Sequence, residues 1–207
     1  MIHVPIEAYI ASVAASPLAE HRSATPWWLT TNAEAVVRAI LPQLGDGYRV
    51  DGDIAVHHTA TIEAGATLKG PLVIGPRNFI ANGAYLRGGC WLDADVIIGP
   101  GAELKTSFAF AGTKLAHFNF VGDSVFGAQV NLEAGSIVAN YRNERDDKQV
   151  RVRIGDALQP TGVQKFGALI GDHGRLGANA VAAPGTLLPP ATVVRRLQLI
   201  DQEQMAP

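Results

Sequence analysis

The sequence predicts an all-β solenoid, a parallel β-helix in which each repeat of six residues supplies one short strand and one corner. Two observations predict this fold. Apolar residues recur at every sixth position, and the residues beside them are often glycine, alanine or aspartate, which suit tight corners. We expect the recurring apolar side chains to point into the solenoid; they are Ile62, Leu68, Ile74, Ile80, Leu86, Leu92, Ile98, Leu104, Phe110, Ala116, Val121, Phe126, Leu132, Val138, Ile170, Leu176, Ala182, Leu188 and Val194.

Three such repeats complete one triangular coil, and successive coils are expected to stack at about 4.8 Å with every strand paired above and below. A spacing of six differs from the spacing of three and four in an amphipathic helix, and from the alternation of a half-buried strand. The register continues to Ala116 and then slips by one residue at Val121 and Phe126. An irregular β-sandwich is the alternative interpretation.

The repeat divides the chain into three parts. Residues 51–196 are predicted to form the β-helix, and residues 1–50, which lack the repeat, a small helical N-terminal segment. Residues 143–163 are charged and contain glycine and proline, so they are predicted to leave the solenoid as a loop, a place where functional residues often lie. Residues 197–207 form a short tail.

The N-terminal segment carries two local signals. Thr31 and Glu34 have the spacing of a capping box in front of an apolar run, which predicts a helix start. We expect the neighbouring Trp27 and Trp28 to pack this segment over the open first coil and so to cover an exposed sheet edge. A binding role for the two tryptophans is the alternative.

The composition predicts a cytoplasmic globular protein. Apolar residues make up 47% of the chain and charged residues 17%, which allows a sizeable core. The net charge of −2 and the lack of a basic cluster argue against a nucleic-acid-binding protein. The single cysteine, Cys90, fits a reducing compartment. No apolar run is long enough to span a bilayer, and no basic residue precedes the small apolar stretch at residues 8–19, so neither a membrane span nor a signal peptide is expected.

Three cations are spaced by eighteen residues, which is one full coil: Lys69, Arg87 and Lys105. Because each directly follows an inward apolar residue, we expect them to form one column on one face. Stacked like charges repel, so such a column is favourable where an anion such as a phosphate lies against it. The alternative is that the side chains turn into water or meet Glu63 or Glu103.

His117 is the candidate general base. It directly precedes the slip in the repeat, and a broken repeat often marks a place where the backbone is re-aimed for function. A neutral imidazole can deprotonate an amine or hydroxyl that attacks a thioester. Glu103 is the candidate carboxylate that orients this histidine. A structural or merely exposed histidine is the alternative.

The other histidines predict no metal site. His57 and His58 are adjacent, so in a strand they are expected to face opposite ways, and His173 lies far along the chain. The pair of histidines separated by four residues that is typical of zinc enzymes with this repeat does not occur. A phosphate-binding loop and a dinucleotide-binding fingerprint are also lacking.

Residues 114–141, KLAHFNFVGDSVFGAQVNLEAGSIVANY, resemble the acetyltransferase half of bifunctional N-acetylglucosamine-1-phosphate uridyltransferases. With the later runs DKQVRV (residues 147–152) and KFGALIGD (residues 165–172), the chain is most similar to archaeal-type sugar-phosphate nucleotidyltransferase/acetyltransferases over roughly residues 54–194. The resemblance implies a left-handed β-helix, a homotrimer with active sites between subunits, and transfer of acetyl from acetyl-coenzyme A to the amine of glucosamine-1-phosphate.

The resemblance also implies roles for particular residues. His117 corresponds to the catalytic base and Glu103 to a supporting residue. The positions that correspond to substrate-binding residues are Arg87, Lys105, Asn131, Asn140, Tyr141 and Lys148, with Lys69 added from the cation column. The positions that correspond to coenzyme-binding residues are Ala134, Phe166 and Pro184.

The sequence departs from the family at several points. Phe120 replaces the usual tyrosine, which removes a hydroxyl and favours a different acceptor. Residues 132–136 read LEAGS instead of the commoner GAGT form, and residues 1–50 contain no glycine-rich nucleotide loop, so uridylyl transfer is not expected. We therefore expect an N-acetyltransferase for an amino sugar linked to a phosphate or a nucleotide. The alternatives are a regulatory binding protein without turnover and an O-acyltransferase with another acceptor.

Overall fold

The computed structural model of the protein describes residues 4–204. The chain winds into a left-handed parallel β-helix, as predicted, with three sheets along the sides of a prism whose strands are parallel except for the first strand of one sheet. We name these sheets A, B and C in the order in which each coil visits them. Each coil contributes one short strand to each sheet, so successive strands of a sheet come from successive coils.

Sheet A contains β1 (Tyr48–Asp51), β2 (Ile54–His57), β5 (Leu72–Ile74), β8 (Cys90–Leu92), β11 (Phe108–Ala109), β14 (Val125–Phe126), β19 (Ala168–Ile170) and β22 (Thr186–Leu188). Sheet B contains β3 (Thr61–Ile62), β6 (Phe79–Ile80), β9 (Ile97–Ile98), β12 (Lys114–Leu115), β15 (Asn131–Leu132), β20 (Arg175–Leu176) and β23 (Val193–Val194). Sheet C contains β4 (Thr67–Leu68), β7 (Tyr85–Arg87), β10 (Glu103–Lys105), β13 (Phe120–Gly122), β16 (Ile137–Val138), β21 (Val181–Ala182) and β24 (Leu199–Ile200). Strands β17 (Arg151–Ile154) and β18 (Ala157–Pro160) form a separate antiparallel hairpin.

The inward register differs from the prediction at two residues. Ala109 pairs with Leu92 and Phe126 on the adjacent strands and lies in the prism core, whereas Phe110 is buried outside the prism with its ring 5.2 Å from that of Trp91. In the same way Leu115 and not Ala116 points inward. The prediction failed at residue 110 because it chose the larger apolar residue, while the core accepts Ala109 beside a phenylalanine of the next coil. Counting six residues on from Phe110 then carried the error to Ala116.

The shortened repeats therefore lie elsewhere. The two five-residue steps run from Leu104 to Ala109 and from Val121 to Phe126, and both pass the corner between sheets C and A. In the next coil the long excursion leaves the prism at this same corner, after Val138. This corner, and not the one that carries His117, is where the coil is interrupted.

The N-terminal segment packs against the side of the prism. It contains α1 (Pro26–Thr31), α2 (Ala33–Ile40) and 3₁₀ turns at Ile6–Ala8, Ala11–Ala15, Ala19–His21 and Leu41–Gln43. Its apolar side chains join the outward side chains of sheet A in one buried cluster, in which Trp27 lies edge-on to Phe166 at 5.8 Å. The expectation that Trp27 packs over the open first coil is wrong, because its ring is buried in the apolar cluster on the outer face of sheet A. Strand β1 covers the sheet edge instead by pairing antiparallel with β2.

The predicted capping box is also wrong. Thr31 is the last residue of α1, and Asn32, the residue before α2, makes no side-chain cap. Glu34 pairs with Arg38 one turn later at 3.1 Å. The capping contact lies at the start of α1, where the Thr25 hydroxyl accepts from the Trp28 N–H and Pro26 occupies the first helical position.

Gly89 lets α2 approach the corner between sheets C and A. It has φ +86°, and a Cβ at this position would lie 2.7 Å from the Glu34 nitrogen. We expect Gly89→Ala to lower the free energy of unfolding by about 2–5 kcal/mol, from positive-φ strain and crowding together. The matched control is Gly52→Ala, which has φ +54° and open space around it. Urea unfolding should show a loss of about 1–2 kcal/mol for the control; equal losses for both variants would contradict the close contact.

The excursion and the tail are joined by ion pairs. Arg142 is buried and pairs with Asp201 at 2.8 Å and with Glu203 at 3.1 Å, and it donates to the Pro184 carbonyl at 2.9 Å. Glu203 also pairs with Arg145 and Arg151. The excursion is thus held as an ordered element on the prism. Within residues 4–204, no helix has the length and apolarity needed to cross a membrane.

Candidate functional site

The three cations form the column that the spacing predicts. Lys105 is paired with Arg87 on adjacent strands of sheet C, and the Lys69 N–H bonds to the carbonyl of Leu86 in the same ladder. Acidic side chains of the chain relieve their repulsion: Arg87 pairs with Glu103 at 2.6 Å, and Lys105 with Asp123 at 2.8 Å. Lys69 lies over the Tyr85 ring, with its Nζ 5.1 Å from the centroid.

The alternative interpretation of the column, in which its cations turn into water or meet Glu63 or Glu103, is correct in part. Arg87 meets Glu103, as that alternative stated, while the Glu63 carboxylate accepts from the Asn82 N–H. In the described part of the chain Lys69 has no carboxylate partner. An anion at the column would therefore meet one open ammonium group and two ion pairs that have to share their charge.

Asp123 is a site residue that the sequence interpretation missed. Its carboxylate holds the Lys105 ammonium and also accepts a short hydrogen bond from the Asn140 amide. It is nearly buried and sits with φ +46° at the corner between sheets C and A. Aspartate tolerates the left-handed conformation better than most residues, so the Gly122-Asp123 pair at a coil end was a usable sequence signal. Asp123 links the cation column to the excursion.

His117 lies exposed at the other edge of sheet C, at the corner between sheets B and C. Its carbonyl accepts from the Gly135 N–H, so Ala134 follows it in the next coil at the same corner. The structure thus brings together the candidate base and one candidate coenzyme residue. Lys105 is separated from this corner by a three-residue strand, roughly 10 Å at about 3.3 Å per residue.

The expected contact between Glu103 and His117 is not present. The Glu103 carboxylate is bound by the Arg87 guanidinium, which offers two nitrogens to it at 2.6 and 2.8 Å. Within residues 4–204, no hydrogen bond joins Glu103 to His117. Arg87 binds this carboxylate in place of His117, because a guanidinium on the adjacent strand forms a stronger hydrogen-bonded ion pair than an imidazole that lies one corner away.

The predicted substrate residues lie on two sides of the prism. Asn131 is exposed on sheet B between Lys114 and Arg175, in a groove of about 480 Å³ that His173 also lines. Asn140 and Tyr141 lie where the excursion starts, beyond sheet C. One small substrate cannot touch Asn131 and Asn140 of the same chain, because the two sheets face different directions.

Lys148 and Phe120 have clear local surroundings. The Lys148 ammonium donates to the carbonyls of Arg142 and Asn143, both at 3.1 Å, and lies 5.2 Å from the Tyr141 ring centroid. It therefore orders the excursion as well as being a candidate ligand. Phe120 lies on the outer face of sheet C, between Glu103 and Ile137 of the neighbouring strands.

Two further residues that are predicted to bind the coenzyme, Phe166 and Pro184, lie in buried surroundings. Phe166 is fully buried against Trp27 between the prism and the N-terminal segment, so its side chain cannot touch a coenzyme. Pro184 is buried beneath Arg142, at the corner between sheets C and A. Both lie away from the corner that carries His117 and Ala134, because residues 139–167 return to the prism through a packed, apolar contact.

The histidine pair near the first coil also differs from the prediction. The rings of His57 and His58 stack at 4.3 Å, because strand β2 ends at His57 and the chain turns there. The Nδ1 atoms already have partners, the Thr59 hydroxyl at 2.8 Å and the Gly47 carbonyl at 3.0 Å. Among residues 4–204, no three histidine, cysteine, aspartate or glutamate side chains are grouped as a metal site.

Cys90 is a core residue. Burial raises the pKa of its thiol to about 11, although nearby backbone N–H groups act in the other direction. The thiolate is the reactive form, so we expect iodoacetamide at pH 8 to leave Cys90 unmodified in the folded protein and to modify it in urea. Mass spectrometry of both samples gives the readout. Rapid alkylation of the folded protein would contradict this burial.

Searches among known proteins give a consistent relationship. No protein-family model matches the chain. It is 34% identical over 145 residues to a bifunctional sugar-1-phosphate nucleotidylyltransferase/acetyltransferase of Sulfurisphaera tokodaii, covering 70% of this chain and 36% of that protein. It is 39% identical over 130 residues to the bifunctional protein GlmU of Leifsonia xyli, covering 60% of this chain and 23% of that protein. The chain thus spans about a third or less of the length of these curated relatives.

Among solved structures, a mutant perosamine N-acetyltransferase from Caulobacter crescentus in complex with CoA and GDP-perosamine has a TM-score of 0.44 and 17% identity, over 70% of this chain and 53% of that one. A likeness this weak carries no functional conclusion. The sequence matches are the stronger finding, and the part of the relatives that is matched is their acetyltransferase domain. Through its β-helix, this chain is a sequence relative of the bifunctional sugar-1-phosphate nucleotidylyltransferase/acetyltransferases.

Proposed function

We propose that the protein is an acyltransferase that moves the acetyl group of acetyl-CoA to the amine of a phosphate-bearing amino sugar, such as glucosamine-1-phosphate. The observation that carries the proposal is the placement of an exposed histidine at one edge of sheet C and a column of cations at the other. The two features lie on the same sheet, roughly 10 Å apart, so one acceptor that lies across the strand can reach both. The 34% identity to an acetyltransferase-containing relative supports the same reaction.

In the proposed reaction, the acceptor amine attacks the thioester carbonyl while the His117 imidazole takes the amine proton. The carbonyl oxygen becomes an oxyanion, which backbone N–H groups of the corner can stabilise. The C–S bond then breaks, the thiolate of coenzyme A leaves, and the proton held by His117 returns to the sulfur. Glu103 acts in this scheme by fixing Arg87, not by orienting the histidine.

The coenzyme is proposed to lie along the corner between sheets B and C. Beyond His117 this corner is lined by small residues, Ala134 and Ala178, in successive coils, and Arg196 follows in the last one. Small side chains leave a groove for a pantetheine arm, and Arg196, which pairs with Glu133, can share its charge with the coenzyme phosphates. Phe166 and Pro184 take no part in this arrangement.

A second and a third copy of the chain are proposed to complete the site. Large apolar side chains are exposed beside the same corner, with exposed fractions of 70% for Phe118, 79% for Leu197 and 63% for Leu199. Such a patch is normally covered by a partner, and cyclic symmetry would place three prisms side by side. Asn131 of one copy could then face the cation column and Asn140 of the next. The homotrimer is thus part of the proposal.

The remaining parts of the chain have supporting roles in the proposal. Residues 51–196 carry the chemistry, with Tyr141 just before the loop at 143–163 and Lys148 within it supplied near the acceptor. Residues 1–50 are proposed to be a cap of their own, and residues 197–207 a tail that holds the excursion through Glu203. A cytoplasmic site of action fits the unpaired Cys90 and the supply of acetyl-CoA.

The proposal is tested by incubating the protein with acetyl-CoA and a panel of amino sugars, amino sugar phosphates and nucleotide-linked amino sugars. Thiol release is followed with a chromogenic reagent and the product by mass spectrometry. Acetylation of the amine of one acceptor class supports the proposal. Thiol release at the rate of buffer alone with every acceptor, from protein that binds coenzyme, would sink it.

A regulatory binding protein remains the second candidate, because Arg87 and Lys105 are already neutralised by Glu103 and Asp123 and Phe120 lacks the family hydroxyl. Tight coenzyme binding without turnover is its expected result. Acetylation of a hydroxyl instead of an amine would identify the O-acyltransferase alternative.

A further inference from the structure

A cavity of about 670 Å³ lies at the corner between sheets C and A, where the two five-residue steps occur. The prism supplies Gly88, Thr106 and Asp123, the first two of which directly follow the cations Arg87 and Lys105. The N-terminal helices supply another wall, and residues 163–165 at the end of the excursion supply the third. The cavity thus adjoins the cation column on the side away from His117.

Several polar side chains that line the cavity have no partner in the described part of the chain. Within residues 4–204, the hydroxyls of Thr31 and Thr106 and the amide of Gln164 make no hydrogen bond, and the Lys165 ammonium makes no ion pair. By contrast, Arg38 on the same wall is fully engaged by Glu34 and Asp53. Two hydroxyls, an amide and a free cation that line one space suit a polar ligand with its own donors, acceptors and negative charge.

The helical wall is held close to the corner by the backbone. Gly89, the residue after Gly88, contacts the first turn of α2 so closely that a side chain would not fit. Thr31 at the end of α1 is therefore fixed relative to Arg87 and Lys105. The N-terminal helices thus form a fixed wall of the cavity, and through this wall residues 1–50 take part in acceptor binding.

The size of the cavity decides which acceptor fits. A single phosphate bound at the column would leave the cavity and its groups unoccupied, whereas pockets of some 300–1,000 Å³ typically enclose a ligand of nucleotide size. We infer that the acceptor is a nucleoside-diphosphate-linked amino sugar. Its nucleoside occupies the cavity, its diphosphate lies near Lys105 and Lys165, and its sugar extends across sheet C toward His117. This inference rests on the proposed acetyl transfer and narrows its acceptor class.

The test measures binding first, so that it does not depend on turnover. Isothermal titration compares uridine, thymidine, guanosine and cytidine diphosphates with inorganic pyrophosphate, for the wild type and for the double variant Thr31→Val/Gln164→Ala. We expect one nucleoside diphosphate to bind at least about tenfold more tightly than pyrophosphate, and the double variant to lose about tenfold for that nucleotide with pyrophosphate unchanged. The matched control, Gln43→Ala, removes an amide outside the cavity and should change neither affinity.

Equal affinity of the wild type for pyrophosphate and for every nucleoside diphosphate would overturn the inference, as would an equal loss for both probes in the double variant. Turnover then separates the two claims. Acetylation of glucosamine-1-phosphate without nucleotide binding would leave the proposed function standing and remove the inference. Nucleotide binding that needs Thr31 and Gln164, without acetyl transfer to any acceptor, would support the cavity and count against the proposed function.

Discussion

Replacing His117 with alanine is expected to lower kcat for acetyl transfer at least about a hundredfold, because the acceptor amine then loses its general base. His117 is exposed, and its side chain makes no hydrogen bond within the described part of the chain, so its removal should leave the fold intact. Thiol release from acetyl-CoA with the accepted amino sugar measures the change. The KM for the coenzyme is expected to change little, since the groove along Ala134 and Ala178 is untouched.

His58→Ala is the matched control for this prediction. His58 is a histidine at the first coil, far from the corner of His117. Among the described residues it hydrogen-bonds to the Gly47 carbonyl and stacks on the ring of His57. It should retain wild-type kcat. If the His117→Ala variant keeps kcat within about threefold, another group carries out the proton transfer. If kcat of the variant falls and added imidazole restores it, His117 is the base.

Arg142→Ala is expected to have the largest effect on stability, a loss of about 3–5 kcal/mol in the free energy of unfolding. The side chain of Arg142 is 3% exposed, and its removal leaves the Asp201 carboxylate, 9% exposed, without an ion-pair partner. Removal of one partner of a buried ion pair lowers the free energy of unfolding by more than the intact pair adds to it, because the remaining charge stays buried without a partner. Urea unfolding measures the loss, and limited proteolysis should show faster cleavage of residues 143–163.

Arg196→Ala is the control for Arg142→Ala. Arg196 also pairs with a carboxylate, Glu133, at 2.8 Å, but its side chain is 72% exposed, so its removal should cost less than about 1 kcal/mol. Similar losses for the two variants would contradict a buried ion-pair cluster at the tail.

The same cluster predicts a pH dependence. The hydrogen bond from Arg142 lowers the pKa of Asp201 below its ordinary value. A depressed carboxylate pKa stabilises the fold above the unfolded pKa of about 3.9, and this contribution is lost as pH falls through the lower, folded value. The stability difference between wild type and Asp201→Asn should therefore be constant from about pH 5 to 7 and shrink below about pH 4. A difference that grows on acidification would contradict this.

The repeat of six made the solenoid readable from sequence alone. Each coil repeats the same arrangement of strand and corner, so a spacing of six residues identifies inward positions such as Leu86 and Leu104. A spacing of eighteen residues, one full coil, identifies the column of Arg87 and Lys105. The choice between Ala109 and Phe110 did not follow, since it depends on how the next coil fills the core. The spacing predicts where a residue lies along the prism, but it does not show which of two neighbouring side chains has the volume that fits the core.

The site was less predictable for a related reason. Spacing put Glu103 near both Arg87 and His117, and only the three-dimensional ladder shows that the guanidinium takes the carboxylate. The burial of Phe166 depends on Trp27, which is far away in sequence. The cavity combines residues from 30–38 and 163–165 with Gly88, Thr106 and Asp123 of three successive coils, which no local pattern connects.

An active site built from two copies of the chain is tested most directly by mixing two inactive variants, Asn131→Ala and Arg87→Gln. Asn131 lies on sheet B and Arg87 on sheet C, so each variant alone damages every site in its own oligomer. After unfolding and refolding together, about a quarter of the sites should receive both wild-type residues from different copies, and thiol release should recover to about that fraction. A mixture that stays as inactive as either variant alone would show that one chain supplies both residues, and it would contradict a site shared between copies.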